Sequence, residues 1–127
     1  MTLYRQPNLA NVHPDLVRLA QDVGSLRDLI VVQGARTVAE ELTAMASHHS
    51  ALKNPMNSLH VTDPVKRPLA LAVDLTPYPL DWNNLSDFQD LGAFVKDRAA
   101  ALGIAIQWGG DWVSFRDYDH FQLEQAT

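Results

Sequence analysis

Residues 86–106 read SDFQDLGAFVKDRAAALGIAI, and the reading of this stretch decides the fold. Phe88, Leu91, Val95, Ala99 and Leu102 recur at helical spacing and form one apolar face. Ser86 with Gln89 fits a capping box at the start, and Gly103 fits the position just past the end. The chain then passes at once into Ile104-Ala-Ile106, a short apolar run that reads as a strand. Gly109-Gly110 makes a turn, and His120 to Leu123 makes a final strand. Towards the N-terminus, His13-Pro14-Asp15 opens a helix carrying Leu16, Leu19, Ala20 and Val23 on one face, with Gly24 as its stop. Leu29–Val32 reads as a buried strand. Thr37 and Glu40 form a capping box for a helix running to about Ser47. Residues 48 to 59 and 63 to 69 are loops, and between them and Thr76-Pro-Tyr-Pro79 lies a strand, Ala70 to Leu75. Interspersed helices and short strands predict an α+β fold, with helices packed on one small, mostly antiparallel sheet.

The chain has 127 residues, the length of one compact domain spanning 1–127. Hydrophobic residues make up 46% and charged residues 20%, which supports a true core. Ten Lys and Arg stand against 15 Asp and Glu, a formal charge of −5. That balance argues against sequence-independent nucleic-acid binding and against a basic membrane-surface helix. Cysteine is absent, so disulfides and thiolate metal sites are excluded, and any metal must be held by His, Asp or Glu. The N-terminal residues contain no apolar stretch of the kind a signal peptide needs. The expectation is a chain made in the cytoplasm without a signal peptide, with no membrane association.

Of the five histidines, His13 is explained by the helix start, and the adjacent His48-His49 pair falls in a polar loop. His60 and His120 are more informative. Asp74 lies near the end of an apolar strand, where a carboxylate must be solvated, hydrogen-bonded or on a metal. Asp117 stands three positions before His120. Two His and one Asp would be three protein ligands for zinc, with a fourth position left for water. The spacing alone does not establish this, and the compact H-E-x-x-H motif is absent. No nucleophile elbow, phosphate-binding loop or dinucleotide fingerprint is present either.

Ser58-Leu-His60, then Ala72-Val-Asp74, then Asp117-Tyr-Asp-His120-Phe, resembles the zinc peptidases of the VanX/VanY and phage L-alanyl-D-glutamate endopeptidase family. Their pattern is S-x-H-x-x-G-x-A-x-D, followed much later by D-x-P-H-F-E. Val32-Gln-Gly34-Ala-Arg36-Thr37-Val-Ala-Glu40 resembles the family's V-x-x-G-x-R-T-x-x-E segment. His13-Pro14-Asp15-Leu16, Leu102-Gly-Ile, Trp108-Gly-Gly-Asp-Trp112 and Phe115 also fall in the family's order. The resemblance implies a zinc site at the sheet, with His60, Asp74 and His120 as ligands. It implies Asp117 as the general base that activates water and then protonates the leaving amine. Arg36 would polarise the scissile carbonyl or hold a substrate carboxylate, and Ser58 would hydrogen-bond substrate near the metal. Without the family, Arg36 reads as a helix-start Arg and Ser58 as a turn Ser.

Three departures stand out. His60 and Asp74 are 14 positions apart, farther than in the family, and the extra Asp63–Leu69 is expected to bulge out at the mouth of the site. Lys66 and Arg67 would then bring positive charge to it. Asp119 replaces the usual Pro, and in an extended strand it should point away from the side of His120. Gln122 replaces the usual Glu, with an expected effect on support or surface more than on the metal.

The resemblance implies a monomeric zinc peptidase that cleaves the L-alanyl–D-glutamate bond of peptidoglycan stem peptides as a phage endolysin. It would wait in the cytoplasm for a separate holin-like protein to open the way to the wall. Tyr78 and Trp112 are expected to line the groove. D-Ala–D-Ala carboxypeptidase or dipeptidase activity on the same scaffold stays open, as does a zinc-binding interaction module without catalysis.

Overall fold

The computed structural model describes residues 1–46 and 58–124. The predicted helix end at Ser47, the His48-His49 pair and most of the predicted 48–59 loop lie outside these residues.

Among the described residues, three helices and five strands make the fold. In chain order they are β1 (Leu3–Tyr4), α1 (Pro14–Leu26), β2 (Leu29–Gln33), α2 (Val38–Ala46), β3 (Ala72–Pro77), α3 (Leu85–Leu102), β4 (Ile106–Trp108) and β5 (His120–Leu123). Short 3-10 turns cover Gln6–Leu9 and Gly109–Asp111. The strands form one sheet in the order β1-β2-β3-β5-β4. Only β1 and β2 run parallel, and the other three pairings are antiparallel. The expected α+β class and mostly antiparallel sheet are what the structure has.

Alternation along β3 and β5 separates the core from the site. Val73, Leu75 and Phe121 enter the core with Leu16, Leu19, Ala20 and Val23 of α1 and Leu91, Val95 and Ala99 of α3. Full burial of each large apolar side chain contributes about 1.5–3 kcal/mol. Asp74 and His120 take the alternate positions, on the opposite face of the sheet. Arg98 of α3 grips Asp22 of α1 with two parallel bonds of 2.6 and 2.9 Å. That grip holds the Asp22 carboxyl below the usual range and ties the two helices together.

The local signals work where they are local. His13 caps α1, its Nδ1 accepting from Asp15 N at 3.1 Å. Thr37 and Glu40 bond reciprocally, Glu40 N to Thr37 Oγ1 at 3.1 Å and Thr37 N to Glu40 Oε1 at 2.9 Å. Gly103 takes φ +73°, and Ile104 N reaches Ala99 O while Gly103 N reaches Ala100 O, a Schellman ending.

Four expectations need correction. Gly24 does not stop α1 but lies inside it, because Leu3 of β1 occupies the space a side chain would need. The cap of α3 is Asn84, whose Oδ1 accepts from Asp87 N at 3.2 Å, not Ser86 with Gln89. The predicted strand at 104–106 begins only at Ile106, since Ile104 still closes the helix end. The strand predicted over 70–75 runs over Ala72–Pro77, where Pro77 and Thr76 pair with Leu29 and Ile30.

Candidate metal centre

Three ligand-type side chains reach one point from different parts of the chain. Asp74 and His120 are direct cross-strand partners of β3 and β5. His60 comes from the turn 58–61, whose backbone is tied to Arg36: Arg36 N donates to His60 O at 2.7 Å and Thr62 N to Arg36 O at 2.8 Å. The donor atoms form a small triangle. His60 Nε2 lies 3.2 Å from Asp74 Oδ1 and 3.2 Å from His120 Nδ1, and His120 Nδ1 lies 3.4 Å from Asp74 Oδ1. His60 and His120 are buried, and Asp74 nearly so.

The hydrogen bonds behind the triangle fix its chemistry. His60 Nδ1 donates to the Gly34 carbonyl at 2.9 Å, which can only accept, so Nε2 keeps its lone pair. His120 Nε2 donates to Gln122 Oε1 at 2.8 Å, so Nδ1 keeps its own. Asp74 Oδ1 is buried without a directed donor. Three acceptors therefore face one another, an arrangement that calls for a cation or a proton between them. Ligands held 2.0–2.1 Å from a tetrahedral zinc stand about 3.3–3.4 Å apart, close to the edges of this triangle. The three residues fit a zinc ion, and they are the only group of this kind among the described residues.

Electrostatics agree. Burial alone would raise the Asp74 carboxyl, but His120 and His60 outweigh it and hold Asp74 below the usual carboxylate range. Burial opposes a charged His120, yet Asp74, Gln122 and Asp117 raise its pKa above the usual value. Gln122 thus holds the His120 ring directly, at 2.8 Å.

Asp117 stands at the end of the loop from the 109–111 turn, with its amide bonded to Gly109 O at 3.0 Å. A methyl on Gly109 would overlap the Asp117 carbonyl, so only glycine allows this approach. Asp117 O then accepts from His120 N at 3.2 Å. Tyr118 and Asp119 form a turn, so strand alternation does not apply there. Burial pushes the Asp119 carboxyl up to about 9, helped by its hydrogen bond to Asp117 and the charges of Asp74 and Asp117. Asp117 and Asp119 both line a cavity of about 240 Å³ with Trp82, Leu85, Phe88 and Arg116.

The other expected site residues are placed as follows. Ser58 is buried, its Oγ accepting from His60 N at 3.4 Å within the ligand's own turn. Arg36 lines a separate cavity of about 220 Å³ with Gly34, Thr37 and Thr62. Its Nη1 donates to Glu41 Oε2 at 2.8 Å, and Glu41 is fully buried. The sequence reading missed Glu41: of two adjacent acids, Glu40 caps α2 and Glu41 turns inward to fix Arg36. Trp112 packs against His120 with ring centroids 5.2 Å apart. Tyr78 instead stacks on Tyr4 at 4.3 Å. The extra segment bulges outward as expected, but Arg67 turns back, its Nη1 donating to Ser58 O at 2.7 Å.

The sequence model of the phage L-alanyl-D-glutamate peptidase family matches residues 3–125. The L-alanyl-D-glutamate peptidase of Escherichia phage T5 is 33% identical over 127 residues, covering 96% of this chain and 87% of the relative. The crystal structure of the Serratia marcescens L-Ala D-Glu endopeptidase ChiX superposes with a TM-score of 0.74 at 28% identity, over 94% of this chain and 85% of the other. By sequence and by fold alike, the chain belongs to the phage L-alanyl-D-glutamate peptidase family.

Proposed function

We propose that this chain is a zinc peptidase that hydrolyses the L-alanyl–D-glutamate bond of peptidoglycan stem peptides, as a phage endolysin. The observation that carries the reading is the triangle of His60, Asp74 and His120, with Asp117 O accepting from His120 N at 3.2 Å, in a member of this peptidase family. A zinc ion held there would supply Lewis acidity for the scissile carbonyl and for activation of water. His60, Asp74 and His120 hold the ion. Asp117 accepts the proton from water at its carboxylate and returns it to the leaving amine. Glu41 holds one arm of Arg36, which leaves the rest of the guanidinium for a substrate oxygen. Ser58 orders the turn that presents His60.

No helix among the described residues is long and apolar enough to cross a membrane. In this reading the chain acts on the cell wall after release from the producing cell, by way of a holin-like partner.

The deciding experiment incubates the protein with purified peptidoglycan, with and without a chelator, and maps new termini by mass spectrometry. Chelator-sensitive appearance of D-glutamyl amino termini is expected. Release of terminal D-Ala would favour the carboxypeptidase alternative, and bound zinc without cleavage would favour the interaction module.

Zinc and a proton compete for His120 Nδ1. A metal needs the neutral ring, and the ring's pKa is raised above its usual value. Zinc affinity is therefore expected to fall as pH drops through that raised value, and zinc binding at about pH 7 should release protons. Titration calorimetry in buffers of different ionisation enthalpy measures this. Identical heats and affinities across about pH 6–8 would refute the competition.

A further inference from the structure

His60 differs from its two co-ligands in how it is held. Asp74 and His120 sit on paired strands, whereas His60 sits in the turn 58–61, closed by a bond from Val61 N to Ser58 O at 3.2 Å. The His60 ring is fixed by its Nδ1 bond to the Gly34 carbonyl at 2.9 Å, but a turn is a softer support than a sheet, so the turn itself needs bracing.

The segment that follows is built for that task. After Thr62 the chain closes a small hairpin, with Asp63 N donating to Arg67 O at 2.7 Å and Arg67 N to Asp63 O at 3.0 Å. Asp63 Oδ1 accepts from Val65 N and Lys66 N, both at 2.9 Å, which fixes the tip. Val65 at that tip is 89% exposed, so the tip stands in solvent. The chain rejoins the body where Ala70 N donates to Asn11 O and Leu71 N to Leu59 O, each at 2.8 Å. Of the two cations in this segment, Lys66 is exposed and Arg67 folds back. Its Nη1 donates to Ser58 O at 2.7 Å and reaches Val61 O at 3.4 Å. These are the first and last carbonyls of the turn that carries His60. Arg67 makes no ion pair with an acid among the described residues, so its charge is directed at these carbonyls.

We propose that Arg67 is a positioning residue for the metal ligand His60, and that the hairpin 63–67 exists to aim its guanidinium across the 58–61 turn. The proposal rests on the zinc reading of the site. It gives the extra segment a role inward, towards the metal, and not only outward as a charged rim. A charge-assisted bond from a rigid donor fork suits the task better than a flexible ammonium.

The test uses the full chain with Arg67→Ala, Arg67→Lys and Asp63→Ala. Zinc affinity is read by competition with a chromophoric chelator. Amide hydrogen exchange at Arg36 and Thr62, whose N–H bonds flank His60, is read in the metal-free protein. Arg67→Ala is expected to lose about 10–100-fold in zinc affinity, as removal of a group that orients a ligand does, with faster exchange at both amides. Arg67→Lys should recover part of the affinity, and Asp63→Ala should lose less than Arg67→Ala. A purely structural arginine would lower thermal stability but leave the affinity of the folded protein unchanged. Affinity within about twofold of the parent in Arg67→Ala, with unchanged exchange, would overturn the proposal. If that variant does not fold, Arg67→Lys and Asp63→Ala decide by the same two readouts. If the parent chain takes up no zinc, the zinc reading and the metal-positioning role fall together. Altered exchange would then still show that Arg67 braces the turn.

Discussion

Asp117→Ala is expected to abolish measurable peptidoglycan cleavage while leaving one zinc bound and the fold intact. Asp117 belongs to no edge of the donor triangle, so its loss removes no ligand. Its methylene and backbone stay in place, held by the Gly109 carbonyl at 3.0 Å. What disappears is the carboxylate that accepts a proton. General acid–base catalysis contributes about 10²–10⁴-fold, and the rate should fall within that range. The neighbouring acid supplies the control. Burial pushes the Asp119 carboxyl up to about 9, which makes it a poor match for a base that must stay ionised. Asp119→Ala should therefore reduce the rate by no more than about tenfold. Single-turnover rates on a defined stem peptide, with zinc content measured on the same samples, separate the two. Equal losses in both variants would assign the chemistry to the pair and not to Asp117. Full activity in Asp117→Ala would remove it from the mechanism.

Much of this molecule is written locally, and those parts are legible in the sequence. The apolar face of α3 and the positive-φ Gly103 depend on residues within a few positions of one another. So does the reciprocal Thr37–Glu40 cap. What escapes a sequence reading is set by partners far along the chain. β1 is two residues long and exists only because β2 offers it an edge. Gly24 looks like a helix stop until Leu3 is found lying over it. Strand alternation is the rule that sends Asp119 away from the side of His120, but Tyr118 and Asp119 stand in a turn, where that rule has no hold. The ligand set came from resemblance, since nothing in the spacing of His60, Asp74 and His120 requires them to meet. The sheet order explains the meeting of two, because β3 and β5 are neighbours in space with α3 and β4 between them in sequence. Glu41 escapes any reading of roles, and Arg67 reads only as positive charge at the mouth of the site, because each acts through an atom that only the folded chain brings near.

Asp74→Asn is expected to have the largest effect on the metal. The substitution keeps shape and volume, so the β3–β5 pairing and the core behind it should hold. It removes the only negative charge in the donor triangle and leaves two imidazoles. Loss of a group that merely orients a ligand weakens metal binding about 10–100-fold, so loss of this ligand should exceed the upper end of that range. Cleavage should fall with it and should not return at moderate added zinc. A second consequence separates this account from simple damage. In the metal-free protein, Asp74 is the main influence raising the His120 pKa against its burial. Without that charge burial dominates, and the His120 pKa should drop. The sign of the linkage follows. A raised His pKa contributes stability that is present below the unfolded value and lost as pH rises through the folded value. A depressed Asp pKa contributes stability present above the unfolded carboxylate value and lost as pH falls through the folded one. The metal-free parent should thus gain stability from this pair between the carboxylate and imidazole ranges, and Asp74→Asn should lose that gain. Chelator-competition affinity, NMR titration of His120 and denaturation against pH test the three effects. Parent-like zinc affinity in Asp74→Asn would remove Asp74 from the ligand set, and an unmoved His120 pKa would show that the two side chains do not act on each other.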